Sequence, residues 1–191
     1  DVRQRGPQGI QTDISIDGGT FDETLVLING IKVSDPQTGH NMMNLPITPD
    51  VIEHIEVLRG AAARIYGINT LTGAINIVTK KPTASTFNIH ALGGSNFKED
   101  NTNGNLYASY GIRATGSLYS QKSRHLIAAA HEAGNGYRYN TGFNNSKLFY
   151  EAQLLGKQKN EWNILGGYIY NNFGANGYYS APGDKEAEET V

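Results

Sequence analysis

The side chains with the clearest chemical capacity lie in residues 34–46, a polar segment that reads SDPQTGHNMMNLP. Its hydroxyl, amide and carboxyl groups donate and accept hydrogen bonds, and the imidazole of His40 changes charge near neutral pH. Proline, glycine, asparagine and aspartate stand at turn-forming positions, so the segment is predicted to be a loop. Loops of this length are usually functional or mobile. The chemistry indicated is noncovalent recognition, and the alternative is a loop whose polar side chains only meet solvent.

Catalytic chemistry finds no support in the sequence. It contains no GxSxG elbow, no GxxxxGK[ST] phosphate loop, no HExxH motif and no cysteine. The five histidines lack metal-ligand spacing, and the acidic residues near the end of the chain lack the spacing of a calcium loop. The sequence therefore predicts no enzyme, no metal site and no cofactor.

Composition narrows the classes of partner. The net charge is -2, and the 16 lysines and arginines are dispersed along 191 residues, so a nucleic-acid partner is not expected. Without cysteine there is no disulfide framework. No run approaches the roughly 20 apolar residues of a membrane-spanning helix, which leaves a strand barrel open as a membrane structure.

The chain divides into two parts of unlike composition. Residues 86–180 hold ten of the eleven tyrosines and the only tryptophan, whereas residues 1–82 have an ordinary globular mixture. A polar, tyrosine-rich half is typical of antiparallel strands with one wet face. We therefore predict one domain over 1–82 and a second over 83–191.

The elements of the first part follow from short apolar runs and glycines. Residues 13–16 and 25–28 are predicted strands, and Asn29-Gly30 is the dipeptide preferred in a type I′ hairpin turn. Further along, Gly60 and Gly67 interrupt the chain where a sharp exit and a helix end are expected. The predicted order there is a strand over 52–58, a short helix over 61–65, a turn over 70–73 and a strand over 74–78.

The second part is predicted to contain about five strands. Residues 87–93, 148–154 and 162–170 each alternate between two faces with period two. The last of these spans about 26 Å along the strand, or about 20 Å across a membrane at a tilt near 40°. Predicted long loops over 95–105 and 135–146 alternate with predicted short ones over 121–123 and 157–160, an asymmetry typical of outer-membrane barrels.

Residues 52–82, which read IEHIEVLRGAAARIYGINTLTGAINIVTKKP, resemble the C-terminal half of the plug domain of TonB-dependent outer-membrane receptors. The resemblance extends to ISIDGG and LVLINGIKVSD in the first part. Two positions depart from the family pattern. Asp17 stands where arginine is common, which reverses a charge, and Asn29 stands where aspartate is common.

The resemblance implies an α+β plug, a small mixed sheet with short helices, followed by antiparallel transmembrane β-barrel strands. Such receptors close roughly 22 strands, so an incomplete barrel is expected here. The chain is expected to begin inside the plug, without the TonB box, and to stop after about the fifth barrel strand. The implied location is the bacterial outer membrane, with the plug in the barrel lumen.

The polar segment resembles the corresponding loop of cobalamin-type receptors of Bacteroidetes-like bacteria. By that resemblance, two apical plug loops contact the substrate. They contain Ser34, Asp35, Gln37, Thr38, His40 and Asn41 in one loop and Ile68 and Asn69 in the other. The charged residues Glu53, Glu56 and Arg59 are candidates for plug–barrel salt bridges, with ion pairs inside the plug or in solvent as the equal alternative.

The implied function is TonB-energised import of a large scarce nutrient, with cobalamin or another corrinoid first. An iron siderophore or haem is the second choice of substrate. The implied partners are TonB, the nutrient, outer-membrane lipid and, as an open question, a surface lipoprotein. The alternatives from other classes are a surface module that captures ligand without transport and a soluble β-rich lectin-like or hydrolase domain.

Overall fold

The computed structural model describes residues 1–4, 12–33, 44–67, 70–99, 104–137, 140–156 and 160–174. Its contacts divide the chain into two compact units. The first unit contains Asp1–Leu45 and Ile52–Thr79, and the second contains Pro46–Val51 and Lys80–Val191. None of the helices in the described ranges has the length and apolar character needed to cross a membrane.

The first unit is built around a mixed four-stranded sheet in the order β4-β3-β6-β5. Strand β3 runs parallel to β6, whereas β4 and β5 run antiparallel to their neighbours. A two-stranded antiparallel ribbon of β1 and β2 completes the unit. The strands are β1 Val2–Gln4, β2 Thr12–Ile14, β3 Thr24–Ile28, β4 Ile31–Lys32, β5 Ile52–Arg59 and β6 Gly73–Thr79.

Two tight turns of the first unit use residues that tolerate left-handed backbone. Asn29 and Gly30 have φ angles of 52° and 79°, which confirms the predicted type I′ turn between β3 and β4. Asp17 and Gly18, at 50° and 81°, make a similar turn that Gly19 closes by donating to the Ile16 carbonyl at 3.0 Å. This second turn ends β2 earlier than the sequence predicts.

The core of the first unit lies under a short helix. Gly60–Tyr66 is a 3-10 helix, as its closing bond from Gly67 N–H to the Arg64 carbonyl at 3.0 Å shows. Gly60 and Gly67 both have positive φ, so the predicted exit and helix end are confirmed. The helix joins antiparallel neighbours β5 and β6, and it is therefore not the crossover of a parallel β-α-β unit. The core contains Leu25, Leu27, Ala63 and Ala74, with Leu58 and Tyr66 packed against them.

The second unit is an antiparallel meander of five strands in the order β11-β10-β9-β8-β7. Each strand pairs with the next one along the chain, and the three strand segments predicted from period two lie in β7, β10 and β11. The strands are β7 Thr86–Glu99, β8 Leu106–Tyr119, β9 Ser123–Gly134, β10 Phe143–Leu155 and β11 Glu161–Phe173.

The predicted long loops are shorter in the structure. Strand β7 continues through residues 95–99 after an irregularity in register at Ser95, and β10 already begins at Phe143. Polar side chains do not prevent ladder pairing, because the backbone makes the ladder bonds. Asn145 also donates to Asn171 on the neighbouring strand. Of the predicted short turns, residues 157–159 lie outside the described ranges.

The register of the five strands separates an apolar face from a polar face. The apolar face exposes large side chains, whereas the opposite face carries charged and amide groups. This alternation of apolar and polar residues is the pattern of an outer-membrane barrel wall. Apolar-face residues include Ile112, Ile127, Leu148, Ile164 and Tyr168, and polar-face residues include Arg113, Glu132, Asn145, Gln153 and Asn163.

Candidate functional site

The eight residues predicted to contact substrate belong to parts of the chain outside the described residues. They are Ser34, Asp35, Gln37, Thr38, His40, Asn41, Ile68 and Asn69. Their role stays a prediction. The three predicted salt-bridge residues, by contrast, all lie on β5, where each of them is exposed.

Glu56 is held by two neighbours in the first unit. Its Oε2 accepts a hydrogen bond from Asn76 Nδ2 at 2.8 Å, and its Oε1 lies 3.4 Å from His54 Nε2. The bond from Asn76, and then that from His54, lower the pKa of the Glu56 carboxyl, because hydrogen bonds to a carboxylate favour its charged form. Glu56 therefore stays ionised to lower pH than an ordinary glutamate.

Arg59 pairs with the residue that departs from the family pattern. Its Nε lies 3.9 Å from Oδ1 of Asp17, and both side chains are exposed. An exposed pair of this kind contributes little to stability. The contacts seen for Arg59 and Glu56 lie inside the first unit, and pairing of Glu53, Glu56 or Arg59 with barrel charges stays a prediction.

A pair of asparagines fastens the β3–β4 turn to strand β6. Asn76 is buried, and its Oδ1 accepts the Gly30 N–H at 2.8 Å while its Nδ2 donates to Glu56. Asn29 donates from Nδ2 to Thr79 Oγ1 at 2.7 Å and accepts the Thr79 N–H at 3.0 Å. The turn, the central strand and the edge strand are thus joined by side-chain hydrogen bonds.

The second unit contains a short segment from the first part of the sequence, Pro46–Val51. It passes along the polar face of the meander, with Pro46 beside Gly167 of β11. The Lys80 N–H donates to the Val51 carbonyl at 2.9 Å, and Lys80 Nζ donates to the Asp50 carbonyl at 2.7 Å. We call Pro46–Val51 the strap.

Asp50 of the strap faces two basic side chains of the five-stranded meander, whose strands β7 to β11 we call the barrel-like strands. Its Oδ1 lies 3.5 Å from His90 Nε2 on β7, and its Oδ2 lies 3.7 Å from Arg113 Nε on β8. His90 and Arg113 are directly opposite each other in the β7–β8 register. Asp50 was not predicted, although it is the only charged side chain between Asp35 and Glu53.

Several polar atoms of the strap and of strand β8 are buried without a hydrogen bond in the part of the chain that the structure describes. They are Thr48 Oγ1, Asp50 Oδ2, Arg113 Nε and Thr115 Oγ1. Leaving such groups without partners is costly, and an opposite charge is what offsets that cost for Asp50 and Arg113.

Two histidines on the apolar face have hydroxyl partners on the next strand. His125 Nδ1 lies 2.9 Å from Tyr150 Oη, and His131 Nδ1 lies 2.9 Å from Ser146 Oγ. Within the described ranges, no three histidine or acidic side chains come together as a metal site would require. These histidines therefore serve as members of cross-strand hydrogen-bonded pairs.

Comparisons with known proteins agree with this geometry. The family profile of the TonB-dependent Receptor Plug Domain matches residues 1–74. The vitamin B12 transporter BtuB of Vibrio vulnificus (strain YJ016) is 31% identical over 140 residues, which cover 73% of this chain and 21% of that protein. The iron-regulated outer membrane virulence protein of Vibrio cholerae (classical Ogawa strain) is 38% identical over 79 residues, 38% of this chain and 12% of that protein.

Solved structures of two receptors share the fold. A ferric enterobactin receptor, PfeA, has a TM-score of 0.71 at 16% identity, with 97% of this chain and 31% of that chain covered. The siderophore receptor PirA from Pseudomonas aeruginosa has a TM-score of 0.62 at 21% identity, with 80% and 26% covered.

A mixed plug-like sheet followed by a meander with one apolar exposed face is the fold that the chain shares with these two solved receptors. The matched residues then identify the family: residues 1–74 belong to the plug domain of the TonB-dependent receptors, and the proteins that the chain resembles support a location in the bacterial outer membrane. It spans between 15% and 21% of the length of the first three curated relatives.

Proposed function

We propose that the receptor containing this chain imports cobalamin or a related corrinoid across the outer membrane by TonB-energised movement of its plug. The observation that carries this proposal is the 31% identity to a vitamin B12 transporter over 140 residues. A match of that length extends beyond the plug profile, which ends at residue 74, into the barrel-like strands. The resemblance of the 34–46 loop to cobalamin-type receptors points to the same substrate.

In this mechanism, the plug closes a wide barrel until the nutrient binds at the outer side. The nutrient must bind one plug arrangement more tightly than another, because a ligand with equal affinity for both shifts no equilibrium. TonB then pulls the plug from the periplasmic side. The proposed nutrient contacts are the loop residues Ser34, Asp35, Gln37, Thr38, His40, Asn41, Ile68 and Asn69.

We propose the remaining partners as well. Glu53, Glu56 and Arg59 are proposed to pair with charges of the barrel wall, since all three stand on the exposed edge strand β5. Outer-membrane lipid is the proposed partner of the apolar face of the meander. A surface lipoprotein over the outer loops is the last proposed partner.

An iron chelate is the second candidate substrate. The relative with 38% identity is named as iron-regulated, and the solved neighbours are siderophore receptors. At 16% to 21% identity those structures speak for the fold alone. A receptor that captures ligand without transporting it is the candidate from another class.

A binding and uptake matrix separates these candidates. The full-length receptor is expressed in cells that lack their own cobalamin, siderophore and haem receptors, and each labelled nutrient is offered in turn. We expect saturable binding and uptake of cobalamin only. Uptake of a ferric siderophore or haem instead of cobalamin would identify an iron chelate as the substrate. Binding of a nutrient without its uptake would favour the receptor that only captures ligand.

A further inference from the structure

The strap, Pro46–Val51, follows directly in sequence the loop to which the proposed function assigns substrate contacts, yet its own contacts are with the five-stranded unit. We propose that Asp50 is a positioning residue: through Arg113 and His90 it holds the strap on the polar face of β7 and β8. The residues that directly follow position 45 in sequence are thereby fixed to the barrel-like strands. The link to substrate rests on the proposed function, whereas the anchoring itself does not.

The geometry gives Asp50 two basic neighbours on adjacent strands. Its two carboxylate oxygens face different partners, Oδ1 toward His90 at 3.5 Å and Oδ2 toward Arg113 at 3.7 Å. The side chain of Asp50 is 19% exposed and that of Arg113 is 22% exposed, so solvent screens this pair much less than it screens Arg59 and Asp17. A carboxylate in this position contacts both strands at once.

The backbone of the strap is fixed at the same point. Val51 accepts the N–H of Lys80, the residue that begins the main part of the second unit, and Asp50 accepts a bond from Lys80 Nζ. Thr48, two residues earlier, is only 3% exposed. The strap is therefore attached at its C-terminal end by the ion pairs of Asp50 and by hydrogen bonds to its backbone carbonyls, and Thr48 in its middle is buried whereas Pro49 is exposed.

Asp50 and Arg113 each offset the free-energy cost of burying the other, so removal of one charge leaves the other without its main compensation. The Nε of Arg113 and the Oδ2 of Asp50 have no hydrogen bond in the described part of the chain, so their mutual attraction is what offsets the burial of these two atoms. The Asp50→Asn substitution would keep the shape of the side chain and lose that attraction. The strap would then leave the polar face more often, which would expose Thr48.

The first test measures strap opening without any nutrient. Thr48→Cys is introduced into the full-length receptor, and labelling of the new thiol by a membrane-impermeant maleimide is timed in intact cells. The receptor without that cysteine is the background. We expect Asp50→Asn to accelerate labelling about tenfold, Asp50→Glu to change it little, and Asp22→Asn to leave it unchanged. Asp22 is the matched control because it is exposed and outside the strap.

A double variant tests whether Asp50 acts through Arg113. Arg113→Met alone should accelerate labelling at position 48 as Asp50→Asn does. The combination of both changes should accelerate it no further, because residues that act as one pair are not additive. Fully multiplicative effects, or equal labelling rates in Asp50→Asn and the parent, would overturn the proposal.

The second test connects the anchor to uptake. In Asp50→Asn we expect the maximal uptake rate to fall at least about threefold while surface binding of cobalamin stays within about twofold. Asp50→Glu should restore the rate. If Asp50→Asn accelerates labelling of the cysteine at position 48 but cobalamin uptake stays normal, the link to substrate would be contradicted. The proposal that Asp50 anchors the strap would still stand. Slow labelling together with no cobalamin uptake by the parent would remove the proposed function and not the anchor.

Discussion

Asn29 and Thr79 bind each other twice, once in each direction, across 50 residues of sequence. The amide Nδ2 of Asn29 donates to Thr79 Oγ1 at 2.7 Å, and its Oδ1 accepts the Thr79 N–H at 3.0 Å. Asn29 also sits at φ 52°, where most side chains are strained. One residue therefore forms the hairpin turn and fastens it to the last residue of β6.

Replacement of Asn29 by alanine removes both functions. We expect Asn29→Ala to destabilise the sheet of the first unit by about 2 kcal/mol, from left-handed strain and lost hydrogen bonds. Hydrogen exchange of amides in β6, measured by mass spectrometry on the full-length receptor, should accelerate about 30-fold. Asn29→Asp keeps the acceptor and tolerates the turn, so it should cost about 1 kcal/mol. Equal effects of the two variants would contradict this account.

The pH dependence of the first unit should carry a contribution from Glu56. Its pKa is lowered in the folded chain, so folding favours the carboxylate. The stabilisation is fully present above the ordinary glutamate pKa of 4.5 and is lost as the pH falls through the lower, folded value. We expect the difference in plug stability between the parent and Glu56→Gln to be constant near neutral pH and to shrink in acid. A difference that grows in acid would have the wrong sign.

Gly73 is required because strand β6 begins in a crowded place. A Cβ there would meet the Leu58 carbonyl oxygen at 2.6 Å and Ile16 Cδ1 at 2.7 Å. We expect Gly73→Ala to destabilise the first unit by about 2 kcal/mol, measured again by hydrogen exchange. Gly166 in β11 is the control, since its Cβ would meet nothing within 4 Å. Gly166→Ala should stay within about 0.5 kcal/mol.

The two faces of β11 should respond differently to a charge. Tyr168 lies on the apolar face and is 63% exposed, whereas Asn163 lies on the polar face. Tyr168→Lys should cost about 2 to 4 kcal/mol if the residue is near the middle of the membrane. The measurement is the fraction of receptor that migrates as the folded form on a detergent gel when the sample has not been heated. Asn163→Lys should leave that fraction unchanged, and the reverse order would mean that the faces are exchanged.

The sequence was sufficient for features that depend on local geometry. Asn29-Gly30, Gly60 and Gly67 each mark a positive φ angle that few residues adopt, and all three occur as predicted. The strands around Leu148 and Ile164 were predicted from the alternation of side chains between two faces, a pattern that can be read from a single sequence. The ends of β7 and β10 were harder to predict, because polar residues near a turn pair through their backbone as well as apolar ones do.

Features that depend on long-range pairing were not accessible from the sequence. The parallel alignment of β3 with β6 places the Gly30 N–H within hydrogen-bond distance of Asn76 Oδ1. No local sequence pattern indicates that these two residues are in contact. Asp50 is a single carboxylate in an irregular segment, so neither periodicity nor a motif indicates its contacts with His90 and Arg113. Its charge in an otherwise uncharged stretch was the one available signal.

TonB dependence is the property on which the proposed function stands. Cells that express the full-length receptor are given labelled cobalamin, and surface binding and uptake are followed with and without a functional TonB. We predict that binding is the same in both strains and that uptake occurs only where TonB is present. Cobalamin uptake at the same rate in cells without TonB would contradict the energised plug movement proposed for this receptor.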